Sequence, residues 1–493
     1  MTVSPAKKMP TREEALERFV YSVSHDFHGP NNEAPTWAEG YPKQWGDEDE
    51  CIILQIQQSE AGIWNRTFRR YGSAVTSDGK LLAAMDDKGT LIYDLQTKEL
   101  RQRIRDGEHP IRSLWFPAAQ ESSGYVLICS REDPRGLDGT IELYQLDQYG
   151  RLVDEDAPLD TRGLAAKAFT SIRKDLVETY GWTDGSIEPL DLVREFENVL
   201  DLAEKRHATK NKIIIQGSAT GFGSTPFDTS GRFMLLRRNN STTQRGMRPP
   251  EKLPHIIVYD LVGKKEVFTL AGHSDTIVWS AYSPDNSKIA TVSWDGSARV
   301  HSSATGKLNW NTNVGEGQAW SASFSPDSRY IVVSTGKGRI ITVHSSEDGK
   351  IVGRLNDLEI NDWVRNLIWR PTDKHSIALS HRKSVYIWRP FEESGAQVEQ
   401  IFAIDDRAGD GFRGIGALQV DWLDDGKKLI VVCNDGSLEI WDVETNRKWR
   451  MLKPQGLVVG SNLEKRHLVQ GADGKKTLLS TDGDGVVRFW PLI

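Results

Sequence analysis

His25, Asp26 and His28 place two imidazoles and a carboxylate within four residues, a donor set suited to a transition metal such as zinc. A protein zinc site takes three or four protein ligands, and no remote His, Cys or carboxylate set at ligand spacing accompanies these three. Cys51, Cys129 and Cys433 are far apart and odd in number. They suggest neither a disulfide framework nor a paired-cysteine metal knuckle. The sequence holds no phosphate-binding GxxxxGK[ST] loop, no HExxH, and no GxSxG in a strand-turn-helix context. Gly221-Phe222-Gly223 lacks the following helix that a dinucleotide fingerprint requires. No catalytic residue, cofactor-binding residue or metal ligand is assigned on these signals, and the expected chemistry is recognition.

The totals fit that expectation. With 493 residues the chain suffices for one large closed architecture or two to four ordinary domains. Hydrophobic residues make up 38%, enough for a substantial core. The charge balance, 62 basic against 69 acidic side chains, gives −7, whereas a general polyanion binder is basic. No stretch approaches the roughly 20 apolar residues that span a bilayer. The opening MTVSPAKKMPTREEALERF carries charge and no apolar core of a secretory signal. The expected compartment is the cytoplasm or the nucleus, without membrane insertion.

What positions the recognition chemistry is a repeat. The segment from Gly272 to Lys307 and the segment from Trp320 to Lys350 share landmarks: Pro284 and Pro326 are 42 residues apart, His301 and His344 are 43 apart, and both units contain Val-His-Ser-Ser. Short runs rich in Val, Ile, Thr and aromatics alternate with Ser-Pro-Asp, Asp-Gly and Thr-Gly turns, the pattern of hairpin-linked antiparallel strands. Eight such strands end on an aromatic residue or histidine: Tyr93, Tyr144, Tyr259, His301, His344, Trp388, Trp441 and Trp490.

These residues resemble the WD-repeat family. The unit from Gly272 carries Gly272-His273, Ser283-Pro284-Asp285 and Trp294-Asp295-Gly296, and the best terminal dipeptide is Trp441-Asp442. The resemblance implies an all-β fold, a single β-propeller. Eight blades are expected, with seven, the family's usual number, as the alternative because the unit from Leu114 to Leu146 is the weakest. It also implies a polar lattice of His273, Ser293 and Asp295 in one blade, with His301 and His344 standing where the family usually has Trp. The last unit lacks an outer strand, and Cys51–Gln57 is the segment expected to supply it and so remove the open sheet edges.

The expected organisation is an N-terminal arm over 1–49 and a propeller over 50–493. Within the latter fall a closing strand at 50–58, a helical insertion at 159–211 and a basic loop at 237–254. Thr11 and Glu14 have capping-box spacing, which predicts a short helix over 12–24. Leu164, Phe169, Ile172 and Leu176, then Leu192, Phe196, Val199 and Leu200, recur at helical spacing and predict a helical hairpin between the second and third units.

In WD-repeat propellers, partners dock on the face where loops enter the innermost strands. The corresponding positions here are Tyr71, Arg112, Trp279, Trp320, Trp363 and Arg365. Their Trp, Tyr and Arg types dominate interface energetics. The implied function is a non-catalytic scaffold for protein partners. Two alternatives stand beside it. One is an RNA or acidic partner held by Arg237, Arg238, Arg245 and Arg248. The other is an enzyme with a site in the central channel.

Overall fold

A computed structural model describes most of residues 72–153 and 212–492, together with the short stretches 27–28, 36–37, 43–44 and 51–53. The described residues form strands and turns, with no helix among them. The strands fall into eight sheets. Blade 1 is Ser73–Val75, Leu81–Asp86, Gly89–Asp94 and Leu100–Ile104. Blade 2 is Ile111–Trp115, Tyr125–Arg131, Thr140–Leu146 and Lys212–Gln216. Blade 3 has three strands, Phe233–Arg238, His255–Asp260 and Lys265–Leu270, and the isolated bridges Ser218 to Arg237 and Phe227 to Met234 stand in for its inner strand. Blade 4 is Ile277–Tyr282, Lys288–Ser293, Ser297–Ser302 and Leu308–Asn313. Blade 5 is Ser321–Phe324, Tyr330–Thr335, Ile340–Ser345 and Ile351–Arg354. Blade 6 is Leu367–Trp369, Ile377–His381, Ser384–Arg389 and Gln397–Ile404. Blade 7 is Ala417–Leu423, Lys428–Cys433, Leu438–Asp442 and Arg447–Leu452. Blade 8 is Arg466–Gln470, Lys476–Thr481, Val486–Leu492 and, from the far end of the chain, Cys51–Ile53.

The ring follows from strand alternation. Successive side chains point to opposite sheet faces, so each blade offers one apolar face to each neighbour. In blade 1, Leu81, Ala83 and Met85 pack with Leu114, Leu127 and Tyr144 of blade 2, while Leu82 and Ala84 pack with Leu479 and Val487 of blade 8. In blade 5, Ile331 and Val333 meet blade 4, and Val332 meets blade 6. Every consecutive pair of blades shares such a core, and so do blades 8 and 1. At about 25 cal/mol per Å² of apolar surface removed from water, these inter-blade layers supply most of the cohesion.

The turns explain the Ser-Pro-Asp signal. Ser283 Oγ donates to Asp285 at 2.5 Å while accepting from the Lys288 amide at 3.0 Å. Ser325 Oγ does the same with Asp327 and the Tyr330 amide, and Thr76 Oγ1 with Asp78 and the Leu81 amide. The residue after the aspartate takes the left-handed conformation: Gly79 at φ 69, Asn286 at 57 and Ser328 at 61. Neighbouring turns also tie together, as the Asp285 amide donates to Ser328 Oγ at 3.0 Å and Tyr125 Oη donates to Asp78 at 2.8 Å.

The antiparallel meander sets two faces. The first-to-second and third-to-fourth turns share one face, here the lower. The second-to-third turns and the loops entering each next blade share the upper. Cys51–Ile53 runs antiparallel to Val486–Arg488, with Ile53 opposite Val486 and Cys51 opposite Arg488. Ahead of it, the arm lies on two further blade edges. Thr36–Trp37 and Lys43–Gln44 pair parallel to the outer strand of blade 7, and Phe27–His28 pairs antiparallel to the outer strand of blade 6.

Three sequence expectations change. Ile111–Gln216, which contains the unit read as weakest, is a complete four-stranded blade; blade 3 is the reduced one. The long insertion does not separate two blades. It interrupts blade 2, between its third strand and its fourth, which begins at Lys212. Arg237 and Arg238 belong to a strand of blade 3 and not to a loop. The expected helix over 12–24, the metal-like trio's His25 and Asp26, and the helical hairpin over 159–211 lie outside the described residues.

Candidate partner-binding face and its supporting lattice

The upper face is held by polar contacts at the loops that enter the blades. In blade 4, the His273 loop precedes the first strand and Trp294-Asp295-Gly296 joins the second to the third. Asp295 accepts from His273 Nδ1 at 2.9 Å and from the Ser274 amide at 2.9 Å. On the other side of the ring, His273 Nε2 lies 2.8 Å from Thr291 Oγ1. Ser293 Oγ donates to the Asp275 carbonyl at 2.7 Å and accepts from the Asp295 amide at 3.1 Å. Burial alone would raise the Asp295 carboxyl. The hydrogen bond and charge of His273, then the Ser297 hydroxyl and Ser274 amide, outweigh that and hold it well below the usual carboxylate range. His273 thus bonds to Asp295, and Ser293 joins them through the Asp295 amide. Sequence reasoning missed Thr291 and Ser297, whose hydroxyls complete the network.

Other blades fill the same register differently. Tyr144 Oη donates to Glu142 at 3.0 Å, and Glu142 also pairs with Lys212 Nζ at 2.7 Å and Arg131 Nε at 2.6 Å. Trp441 Nε1 donates to Glu439 at 3.1 Å, and Glu439 pairs with Lys448 Nζ at 3.3 Å. The two arrangements share a strand register, with Arg131 as an additional partner in blade 2. The glutamate stands two positions before the terminal aromatic, and the lysine sits directly opposite that aromatic on the fourth strand. Both carboxylates are buried. Burial raises the Glu142 carboxyl, but the charge of Arg131 and the hydrogen bond from Lys212 win and keep it below its ordinary value. In blade 5, Thr342 Oγ1 lies 2.9 Å from His344 Nε2; in blade 8, Trp490 Nε1 donates to Ser480 Oγ at 3.0 Å. At the seam, Thr481 Oγ1 donates to Ser73 Oγ at 2.7 Å, and Ser73 Oγ lies 3.0 Å from His467 Nε2.

The aromatic and cationic residues expected on the upper face divide. Trp279 is 3% exposed and Trp320 6%, both inside the apolar layer between blades 4 and 5 or against it. They are corrected from contact residues to core. The cause is alternation: at these offsets the strand aims the indole at the neighbouring blade and not at solvent. Tyr71, Trp363 and Arg365, and the side chain of Arg112, lie outside the described residues. Arg237 donates to Ser218 Oγ and to the Ile277 carbonyl, and Arg238 to the Gln216 carbonyl and Glu266. Both guanidiniums are hydrogen-bonded within the ring. Arg245 and Arg248 lie outside the described residues.

Residues 264–302 match the family model for the WD domain, G-beta repeat. The match begins on the outer strand of blade 3 and ends with the third strand of blade 4, in the structure of an eight-bladed ring. The chain is an eight-bladed β-propeller that carries a WD repeat at residues 264–302. That one-strand offset between repeat and blade is why a propeller of this kind is sealed by strands from both ends of its chain.

Among curated proteins, it is 24% identical over 254 residues to the Periodic tryptophan protein 2 homolog of Dictyostelium discoideum, covering 43% of this chain and 26% of that one. It is 28% identical over 95 residues to Cell division cycle 20.1, cofactor of APC complex, of Arabidopsis thaliana, covering 19% and 18%. The aligned part is therefore about a quarter of the first relative's length and under a fifth of the second's. Among solved structures, Sqt1 of Chaetomium thermophilum bound to the N-terminus of the ribosomal protein L10 is 14% identical, with a TM-score of 0.50 over 86% of this chain and 96% of that one. The computationally designed Ika8 protein is 12% identical, with a TM-score of 0.51 over 90% and 99%. These likenesses speak to the fold.

Within this propeller, the histidine–hydroxyl–aspartate network is set out around blade 4, the blade that carries the matched repeat. The buried aromatic–glutamate–lysine sets of blades 2 and 7 are substitutes for it.

Proposed function

We propose that this propeller is a non-catalytic scaffold that holds a segment of a protein partner on its upper face. The observation that carries the reading is closure: Cys51–Ile53 completes blade 8 beside Val486–Arg488, so the ring of sheets offers a rigid surface. A preorganised surface loses little freedom on binding, so more of the contact energy appears as affinity. The solved Sqt1 propeller, bound to the N-terminus of a ribosomal protein, supports a short segment as the kind of target. Tyr71, Arg112, Trp363 and Arg365 are the contact residues in this reading.

Affinity capture with the intact chain, compared with a W363A/R365A variant of unchanged thermal unfolding, tests the proposal. A protein companion recovered with the first and lost from the second supports it. Equal recovery with both would move the contact elsewhere.

A further inference from the structure

We propose that the outer strand of blade 2 is a single β-strand interrupted in register, and that 154–211 is a guest segment which the ring needs neither to close nor to hold its upper face.

The turn that opens a fourth strand is already made before the chain leaves the blade. The Asp147 carboxylate accepts from the Tyr149 and Arg151 amides at 2.8 Å each, and the Asp147 amide donates to the Arg151 carbonyl at 2.7 Å. Asp94, Asp260 and Asp442 hold the corresponding turns of blades 1, 3 and 7, each accepting from amides two and three residues ahead. After the turn, Leu152 bridges Leu146, and the Val153 amide donates to the Gln145 carbonyl at 2.9 Å. The Leu152 amide also reaches blade 1, where Gln102 Oε1 accepts it at 2.8 Å. The ladder of the fourth strand therefore starts with Leu152 and Val153, ahead of the insertion.

Its remainder begins on the next rung. Lys212 lies opposite Tyr144, the neighbour of Gln145, and the pairing runs on to Gln216 opposite Thr140. Lys212 thus takes the place that residue 154 would have in an uninterrupted strand. Side-chain alternation passes through the break unchanged. Leu152 packs in the layer shared with blade 1. Lys212 stands opposite Tyr144 of that same layer, and its Nζ pairs with Glu142 at 2.7 Å. Ile213 and Ile215 pack in the layer shared with blade 3.

A slack loop could rejoin the ladder at any rung and on either face. Here the two ends of the segment meet one rung apart, on the outermost strand of the blade. The five residues Lys212–Gln216 separate that break from the upper end of the strand, a rise of about 17 Å. The segment is therefore rooted on the rim of the ring, away from the upper face.

Three shortened chains test this by hydrogen exchange. One lacks 154–211 and joins Val153 to Lys212, one lacks 155–211 and keeps Asp154, and one lacks 154–212. The first should keep the strands of blade 2 protected, with 213–216 exchanging as slowly as in the intact chain. In the other two, a residue gained or lost turns Ile213 and Ile215 to the wrong layer or forces a bulge. Amides 213–216 should then exchange at least about tenfold faster. Equal protection in all three, or loss of blade 2 in the first, overturns the proposal. The intact chain supplies a measurement in which folding is not at issue. Its Val153 amide should be protected together with 213–216, and exchange there at the rate of an unstructured amide overturns the proposal as well. The companion sought above should be recovered equally by the intact chain and by the chain lacking 154–211. Its loss from a shortened chain whose strands stay protected would overturn the separation of the segment from the upper face. That arm alone rests on the function proposed above; hydrogen exchange needs no partner, so the two failures are distinguishable.

Discussion

A carboxylate taken out of water must be paid for by its partners, and Glu439 shows how closely the ring balances that cost. Glu439 and Lys448 are both essentially inaccessible to solvent. Removing one partner strands the other charge in a low-dielectric layer, at a cost of about 3–5 kcal/mol. E439A should therefore lower stability to urea by that order, while E439L/K448M should recover most of it; a cycle with no coupling would refute the pairing. His301 makes a different prediction. Burial, with the charges of His273 and Arg299, pushes its imidazole down to about 4. A folded value below the unfolded one of about 6.5 means that the unfolded chain binds more protons between those limits. The His301 contribution is thus full above pH 6.5 and is lost as pH falls toward 4. Unfolding midpoints measured from pH 7 to 4 should fall less steeply in H301W than in the native chain. Of this scale, the sequence showed His273, Ser293 and Asp295, because the family spacing marks them. It hid the glutamate–lysine sets, because the lysines come from the fourth strand, 70 and 9 residues away from their carboxylates.

At the scale of elements, the third strands were the most legible part of the chain. Each of the eight aromatic or histidine positions read from the sequence falls in a different blade, in its third strand or, for Tyr259 of the reduced blade 3, in the strand before the outermost. A short apolar run ending on a large ring and followed by a turn is a local signal. The fourth strand of blade 2 was less legible, since the chain leaves the blade before completing it and returns at Lys212. The tryptophans misled for a related reason. Spacing along a strand gives the side a residue faces only once the register is known, and one residue of slip exchanges core for solvent. W279A and W320A should each cost about 3–5 kcal/mol as large-to-small core changes. Any loss of partner capture should then track lost fold and not precede it. A proline at position 52, in the strand paired with Val487, should likewise lower the unfolding midpoint, while the same change at Ala6 should not.

For the whole molecule, stability and function meet in closure. A ring of eight sheets has no weak end when blade 8 is completed by the start of the chain, and its cores then run unbroken from blade 1 back to blade 1. Left open, it would present unpaired edges, which other chains can extend. A chain beginning at residue 54 should accordingly elute as higher oligomers in size-exclusion chromatography, where the full chain elutes as one defined species. The most direct measurement is covalent. Ile53 and Val486 face each other in the closing pair, at a separation that antiparallel partners share with disulfides. In a C51S background, I53C/V486C should oxidise to an intrachain disulfide, seen as a faster monomer band on a non-reducing gel, and should raise the unfolding midpoint. A folded chain that forms no such bond, or joins these cysteines only between molecules, would contradict the sealed ring.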